Sequence, residues 1–213
     1  MTAPRIALIH ATPLAIEPIV NAFRRLWPQA RTTNVLEDSL APDLAADGRL
    51  TERMIELLYK SAPLHDIGKI GIPDSILLKP GKLTVEEFEV MKTHTTLGRK
   101  AIEDAERRLG MRVAFLSVSK EIAYSHQEKW DGSGYPQGLA GDQIPVSARL
   151  MAVADVYDAL INKRVYKAAF SHDQACSTIV KGKGTHFDPD MVDAFVDIAE
   201  DFRSIALKYP DPE

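Results

Sequence analysis

Five side chains constrain what this chain can fold into. His65 and Asp66 are adjacent, and His94, His126 and Asp155 follow at intervals of about thirty residues. Each falls on or at the end of a segment with helical character. The interval is one helix plus one connection, so packed helices can bring all five to a single interior point, as helical bundles do when they build metal sites. Imidazole and carboxylate together suit Fe, Mn, Zn or a related divalent ion better than Ca. With two ions close together, Asp66 is the natural bridge. Taken singly, a histidine on an apolar helix is more often a hydrogen-bonded core or surface residue than a ligand. Asp155 is different, because a carboxylate inside Val153-Ala154-Asp155-Val156 is expensive to bury unless a cation pairs it. His10, His172 and His186 read as structural or surface residues, and Cys176 as a small core residue.

The segments between these positions are helical from Thr51 onward. Met54, Ile55, Leu57 and Leu58 begin an amphipathic stretch that runs into Leu64-His65-Asp66. Thr84-Val85-Glu86-Glu87 is a capping-box pattern, and Phe88, Met91, Thr95, Gly98 and Ile102 mark one face of a long helix after it. Met111 to His126 and Pro145 to Ile161 read as further helices, with a glycine-rich loop from Trp130 to Gly141 between them. Ser171 caps a helix through Val180, and Asp188-Pro189 opens a final helix through Phe202.

Residues 1–50 read differently. Ile6-Ala7-Leu8-Ile9 is a short strand-like run, Pro13 to Leu26 carries a helical apolar pattern, and Thr33 to Leu36 is a second candidate strand. The fold class expected is therefore mainly α, a helical bundle, with a short α/β segment in front.

Composition closes off several classes. With 45% hydrophobic and 26% charged residues among 213, a disordered or low-complexity protein is excluded. A net charge of −4 argues against a nucleic-acid polymer or an anionic membrane as partner, since both demand an excess of Lys and Arg. One cysteine permits no internal disulfide, which suits a reducing compartment. No secretory signal and no run of roughly 20 apolar residues is present, so a cytoplasmic location without membrane contact is expected.

The string His126-Gln127-Glu128-Lys129-Trp130-Asp131-Gly132-Ser133-Gly134-Tyr135-Pro136 narrows the reading further. Together with Leu64-His65-Asp66-Ile67-Gly68-Lys69, Ala154-Asp155-Val156-Tyr157-Asp158-Ala159-Leu160 and Gly184-Thr185-His186-Phe187-Asp188-Pro189, it resembles the HD-GYP family, bacterial metal-dependent phosphodiesterases that hydrolyse cyclic di-GMP. The resemblance runs from about Thr51 to Phe202. It implies an HD-domain helical bundle over residues 51–213 and two divalent ions, Fe or Mn, held by His65, Asp66, His94, His126 and Asp155. It implies that Lys69 assists catalysis beside Asp66, that Gly134, Tyr135 and Pro136 contact substrate, and that Arg164 and Lys167 hold its phosphates. Read alone, Arg164 and Lys167 also admit the less favoured reading of a solvated basic patch. The activity implied is hydrolysis of cyclic di-GMP to pGpG, with continuation to GMP open, by metal-activated water. A homodimer or a signalling-protein partner is compatible with it.

Two departures from the family pattern stand out. Many members carry a second histidine after the position of His126, for an additional metal, and here it is Gln127. The family also draws a histidine ligand from about thirty residues before its His-Asp pair. Around Gln29 to Val35 this chain has none, and His10 is the only histidine upstream. Residues 1–50, from Pro4-Arg5-Ile6-Ala7-Leu8-Ile9-His10 through Asp38-Ser39-Leu40, instead resemble the opening of an Asp/Glu racemase-type protein, without the cysteines such enzymes use. The expectation is a fusion in which a foreign βα piece replaces the leading helices. The rival it leaves open is a degenerate HD-GYP module that binds cyclic di-GMP or a protein without turnover. A third reading is the same metal site with another cyclic dinucleotide or a phosphomonoester.

Overall fold

The computed structural model describes residues 51–110, 113–162 and 169–208. The βα segment, His10 and the candidate phosphate-binding residues Arg164 and Lys167 lie outside the described residues.

The described chain runs α1 (Glu52–Ser61), two 3-10 turns (Ala62–Leu64 and Ile67–Gly71), α2 (Asp74–Leu77), α3 (Val85–Lys92), α4 (His94–Leu109), α5 (Ala114–Ser125), a 3-10 turn (Gly141–Gln143), α6 (Val146–Ile161), α7 (His172–Lys181), α8 (Pro189–Asp197) and α9 (Ala199–Lys208). Among the described residues there is no strand, only the isolated bridges Asp131–Ala140 and Lys183–Phe187. No described helix is long and apolar enough to cross a bilayer.

Local chemistry sets the helix starts. The Thr84 hydroxyl accepts from Glu87 N while the Glu87 carboxylate accepts from Thr84 N, and Ser171 and Gln174 repeat the arrangement at α7. Asp188 accepts from Asp190 N at the start of α8, with Pro189 in the first helical position. Such caps each stabilise a helix by about 1 kcal/mol.

Two helices that the periodicity predicts as continuous are broken. The long helix after Thr84 divides at Thr93, where three side chains in sequence turn back on the preceding turn: Thr93 Oγ1 donates to Val90 O, the His94 ring to Met91 O, and Thr95 Oγ1 to Lys92 O. These bonds compete with the helical ladder for its carbonyls. The break sets His94 at the first turn of α4. The final helix divides at Ile198, whose φ of −124° and ψ of 16° leave the helical region. The bend lets Phe195 and Phe202 both reach the Tyr157 ring, at centroid distances of 5.7 and 5.1 Å.

The main core lies between α1, α5, α6, α7 and α8, built on Met54, Leu58, Ile122, Leu150, Tyr157, Ile179 and Phe195. Burying each such side chain contributes about 1.5–3 kcal/mol. Helix α6 is buried without interruption from Val146 to Ala154 and delivers Asp155 at the end of that run. The second turn, Ile67–Gly71, lies against α4 through glycine. A Cβ on Gly68 would sit 1.9 Å from His94 O and 2.4 Å from Gly98 N. No other residue fits there. That contact carries Asp66 up to His94.

Candidate metal centre

Three histidines are held in the same way. His65 Nδ1 lies 2.8 Å from Ala62 O, His94 Nδ1 2.8 Å from Met91 O, and His126 Nδ1 3.0 Å from Ile122 O. A carbonyl oxygen only accepts, so each Nδ1 carries a proton and donates it, and in the neutral ring Nε2 is left with a lone pair. Those lone pairs converge. His94 Nε2 is 3.4 Å from His126 Nε2, and Asp66 Oδ1 is 3.5 Å from the first and 3.8 Å from the second. Asp66 Oδ2 faces the other way, 3.2 Å from His65 Nε2, which in turn lies 3.8 Å from Asp155 Oδ1.

Between Asp66 Oδ1 and the facing nitrogens of His94 and His126 there are acceptors and no donor. Asp66 Oδ1 is buried and accepts no hydrogen bond. Ligand atoms of Asp66, His94 and His126 all lie within 4.8 Å of one another. A divalent cation fits this set: it would meet the orphaned oxygen and the two facing Nε2 lone pairs at once. The other oxygen of Asp66, with His65 and Asp155, offers a second group of ligands, so the carboxylate stands between the two halves of the predicted set.

Titration follows the same geometry. Burial, with the nearby His65 charge, lowers the His126 pKa to about 3. Burial also lowers that of His94. For His65 burial pulls downward, but hydrogen bonding and attraction from Asp66 and the charge of Asp155 outweigh it, and the net shift is upward. Burial pushes the Asp66 carboxyl up, yet His65 and Lys69 hold it well below the usual carboxylate range. Lys69 Nζ donates to Asp66 Oδ2 at 2.5 Å.

The loop after α5 closes over this cluster. Tyr135 stands edge-on to His94, with ring centroids 6.4 Å apart. Burial, then the charges of Asp66 and Asp155, raise its phenol to about 12, so at neutral pH it keeps its proton and can donate it in a hydrogen bond. Gly134 is required by close packing: a Cβ would lie 2.3 Å from Lys129 N and 2.5 Å from Glu128 Cα. Pro136 follows through a cis peptide. Tyr135 N donates to Gln127 O at 3.1 Å, so Gln127 ties the loop through its backbone.

Sequence reasoning passed over Glu128. It is only 2% exposed, and its carboxylate accepts from Gln137 N at 2.7 Å and Leu139 N at 3.0 Å. Its signal in the sequence is slight: a carboxylate at the head of a glycine-rich loop whose amides have no strand to pair with. His172 and His186 behave as expected of structural residues. Tyr157 Oη pairs with His172 Nδ1 at 2.8 Å, and His186 stacks on Phe187. Cys176 packs against the main core, half-buried.

The chain is 62% identical over 162 residues to a protein of Vibrio cholerae named cyclic di-GMP phosphodiesterase, covering 76% of this chain and 33% of the relative. It is 43% identical over 162 residues to another protein of that organism, named 3'3'-cGAMP-specific phosphodiesterase 2, covering 76% and 30%. The chain spans about a third of the length of these curated relatives. Among solved structures, an HDG"Y"P protein from Bdellovibrio bacteriovorus superposes with a TM-score of 0.53 at 21% identity, over 76% of this chain and 48% of that one, a likeness of fold. The family model described as HD domain matches residues 17–191, a span that holds all five converging side chains and begins within the segment read as βα. The chain belongs to the HD domain family.

Proposed function

We propose that the chain is the hydrolytic domain of a metal-dependent phosphodiesterase that opens cyclic di-GMP to linear pGpG and can carry it on to GMP. The observation that carries this reading is Asp66 Oδ1, buried without a donor between two neutral imidazole nitrogens. His94, His126 and Asp66 Oδ1 would hold one divalent ion, and His65, Asp155 and Asp66 Oδ2 a second; Fe or Mn suits these nitrogen and oxygen ligands. When bound, such ions supply a water activated at neutral pH and neutralise charge on the phosphate. The carbonyls of Ala62, Met91 and Ile122 keep the imidazoles in the ligating tautomer. Lys69, held on Asp66, adds a positive charge at the rim where a phosphate would lie. Tyr135, protonated at neutral pH and set beside His94, would donate to substrate. Arg164 and Lys167 are assigned to the phosphates from the family resemblance.

Metal content per chain, measured together with turnover of cyclic di-GMP under Mn or Fe, tests the proposal. Bound metal and pGpG are expected. Protein that retains no metal and forms no pGpG would overturn it. Affinity for cyclic di-GMP that survives EDTA without any turnover would decide for a binding module. One relative is named for 3'3'-cGAMP, so that dinucleotide belongs beside cyclic di-GMP in the assay, where equal kcat/KM for the two would remove the preference assigned here.

A further inference from the structure

Helix α3 is unusual among the helices near the metal centre because none of its residues is buried. Val85 is 74% exposed and Phe88 46%, on an eight-residue helix that contributes nothing to either core cluster. The helix is nevertheless held firmly. Its start is a two-way capping box, and Lys79 Nζ donates to the Glu87 carboxylate at 2.7 Å. An element that is fixed in place without burying its apolar side chains has those side chains available to something else.

Phe88 faces the site. The Phe88 ring meets the Tyr135 ring edge-on at 6.2 Å, and Tyr135 meets His94 in the same manner at 6.4 Å. Aromatic rings thus run in a line from a metal-ligand candidate out to an exposed phenylalanine. Lys92 completes the group. Its Nζ lies 5.6 Å from the Phe88 centroid and 5.7 Å from that of Tyr135, and an ion pair with Glu89 at 2.6 Å ties its position. A cation over two ring faces is a favourable arrangement, and it places positive charge beside both rings.

We propose that Phe88 and Lys92 form a base-binding shelf, on which one purine of the dinucleotide stacks while its phosphodiester lies at the metal centre. The inference rests on the phosphodiesterase reading above and adds to it the residues that recognise the part of the substrate remote from the reacting bond. A flat heteroaromatic base is the chemistry that an exposed ring selects without demanding a particular hydrogen-bonding edge. The positive charge at Lys92 suits the anionic backbone of the same ligand. Phe88 on this account binds and positions, and acts through no bond-making step.

The test compares two diesters, cyclic di-GMP and the same cyclic phosphodiester ring built from two abasic riboses, which carries no aromatic group. In Phe88→Ala, kcat/KM for cyclic di-GMP is expected to fall about tenfold relative to that for the base-free diester, mainly through KM, a size typical of losing one base-stacking contact. Phe88→Trp should restore the ratio and Phe88→Leu should not, because leucine keeps the apolar volume and loses the ring face. An equal fall on both diesters, or rescue by leucine, would show that Phe88 merely props Tyr135 and would overturn the shelf. Calorimetric titration of cyclic di-GMP into chelated wild-type and Phe88→Ala protein separates this from failure of the enzymatic reading. If metal-loaded wild type hydrolyses neither diester, the phosphodiesterase reading falls, while tenfold weaker binding by the variant still supports the shelf and equal or absent binding overturns it.

Discussion

Two polar clusters are built into the same helical scaffold, and they are built on opposite terms. Around Arg149 every group is answered. Its Nε donates to Ile144 O at 2.6 Å, one terminal nitrogen to Asp142 Oδ1 at 3.0 Å and Asp188 Oδ2 at 3.1 Å, the other to Asp142 O at 3.0 Å, and the guanidinium lies 5.3 Å from the centre of the Trp130 ring. Asp188 uses its other oxygen to cap α8. Around Asp66 one oxygen is held by Lys69 and His65, while the other is buried, has no donor and faces two imidazole nitrogens. A buried acceptor left without a donor calls for an explanation, and a bound ion is one. Glu106 Oε1 also lacks a donor, but among the described residues only Asp66 shares its position with a group of metal-ligand side chains, and that sets its cluster apart from the one around Arg149.

The largest effect should come from Asp66→Asn. Removing the carboxylate shared by both halves of the cluster should abolish metal retention and lower turnover of cyclic di-GMP by roughly a thousandfold or more, since the activated water depends on the ions. In the presence of chelator the same variant should lose only modest stability to urea, since the substitution gives up the ion pair that the carboxylate makes with Lys69 and His65 but also relieves the oxygen that has no donor. A loss as large as that expected below for Arg149→Met would break the comparison by making Asp66 a structural residue.

Arg149→Met is the mirror experiment. It strands Asp188 in the interior without its cation, which typically costs about 3–5 kcal/mol. The urea midpoint should fall accordingly, while the metal bound per folded chain stays as in wild type. If metal content fell while stability held, the roles of the two clusters would have been assigned the wrong way round.

Much of this was open to sequence reasoning, and the limits have physical causes. The helical class, the capping box at Thr84, the cap at Ser171 and the Asp188-Pro189 start are local chemistry, and local chemistry is written in adjacent residues. The convergence of His94, His126 and Asp66 was legible from spacing, because one helix plus one connection returns the chain to the same place. The breaks at Thr93 and Ile198 were not legible. At Thr93 the periodicity continues through the break, and only side chains bonding back to the preceding turn interrupt the ladder; at Ile198 the cause is tertiary, the demand that Phe195 and Phe202 share one partner ring. Glu128 was missed for a related reason: its value lies in amides nine and eleven residues away, which no local pattern announces.

That carboxylate supplies an intermediate case between the two clusters, since it is buried like Asp66 but answered like Arg149. Glu128→Gln would keep the volume and replace one accepting oxygen by a donor that confronts a backbone N–H. A buried amide left unpaired costs about 1–3 kcal/mol. The loss should be carried by the loop that bears Tyr135, so KM for cyclic di-GMP should rise several-fold with metal stoichiometry unchanged. A variant with wild-type KM and lowered metal content would place Glu128 in the metal centre instead.

The smallest expected effect is a titration, and it sharpens the contrast because the Arg149 network contains no histidine. In metal-free protein burial lowers the His126 pKa to about 3, while a histidine in the unfolded chain titrates near 6.5. Between those values the unfolded chain binds a proton that the folded chain refuses. Stability is therefore undiminished above about pH 6.5 and declines as the pH falls through the window, by at most about 1.4 kcal/mol per pH unit for each such group. His94 shifts in the same direction, and His65 in the other: raised in the fold by Asp66 and Asp155, its contribution is complete below the unfolded value and fades as the pH rises through the folded one. Two lowered groups against one raised group leave a net loss on acidification. Chelated protein should accordingly show a lower urea midpoint at pH 5.5 than at pH 7, and His126→Gln should flatten that dependence whatever it does to stability at neutral pH. An undiminished slope in the variant would mean that His126 is not the neutral, lone-pair-bearing ligand that the geometry at Ile122 O requires.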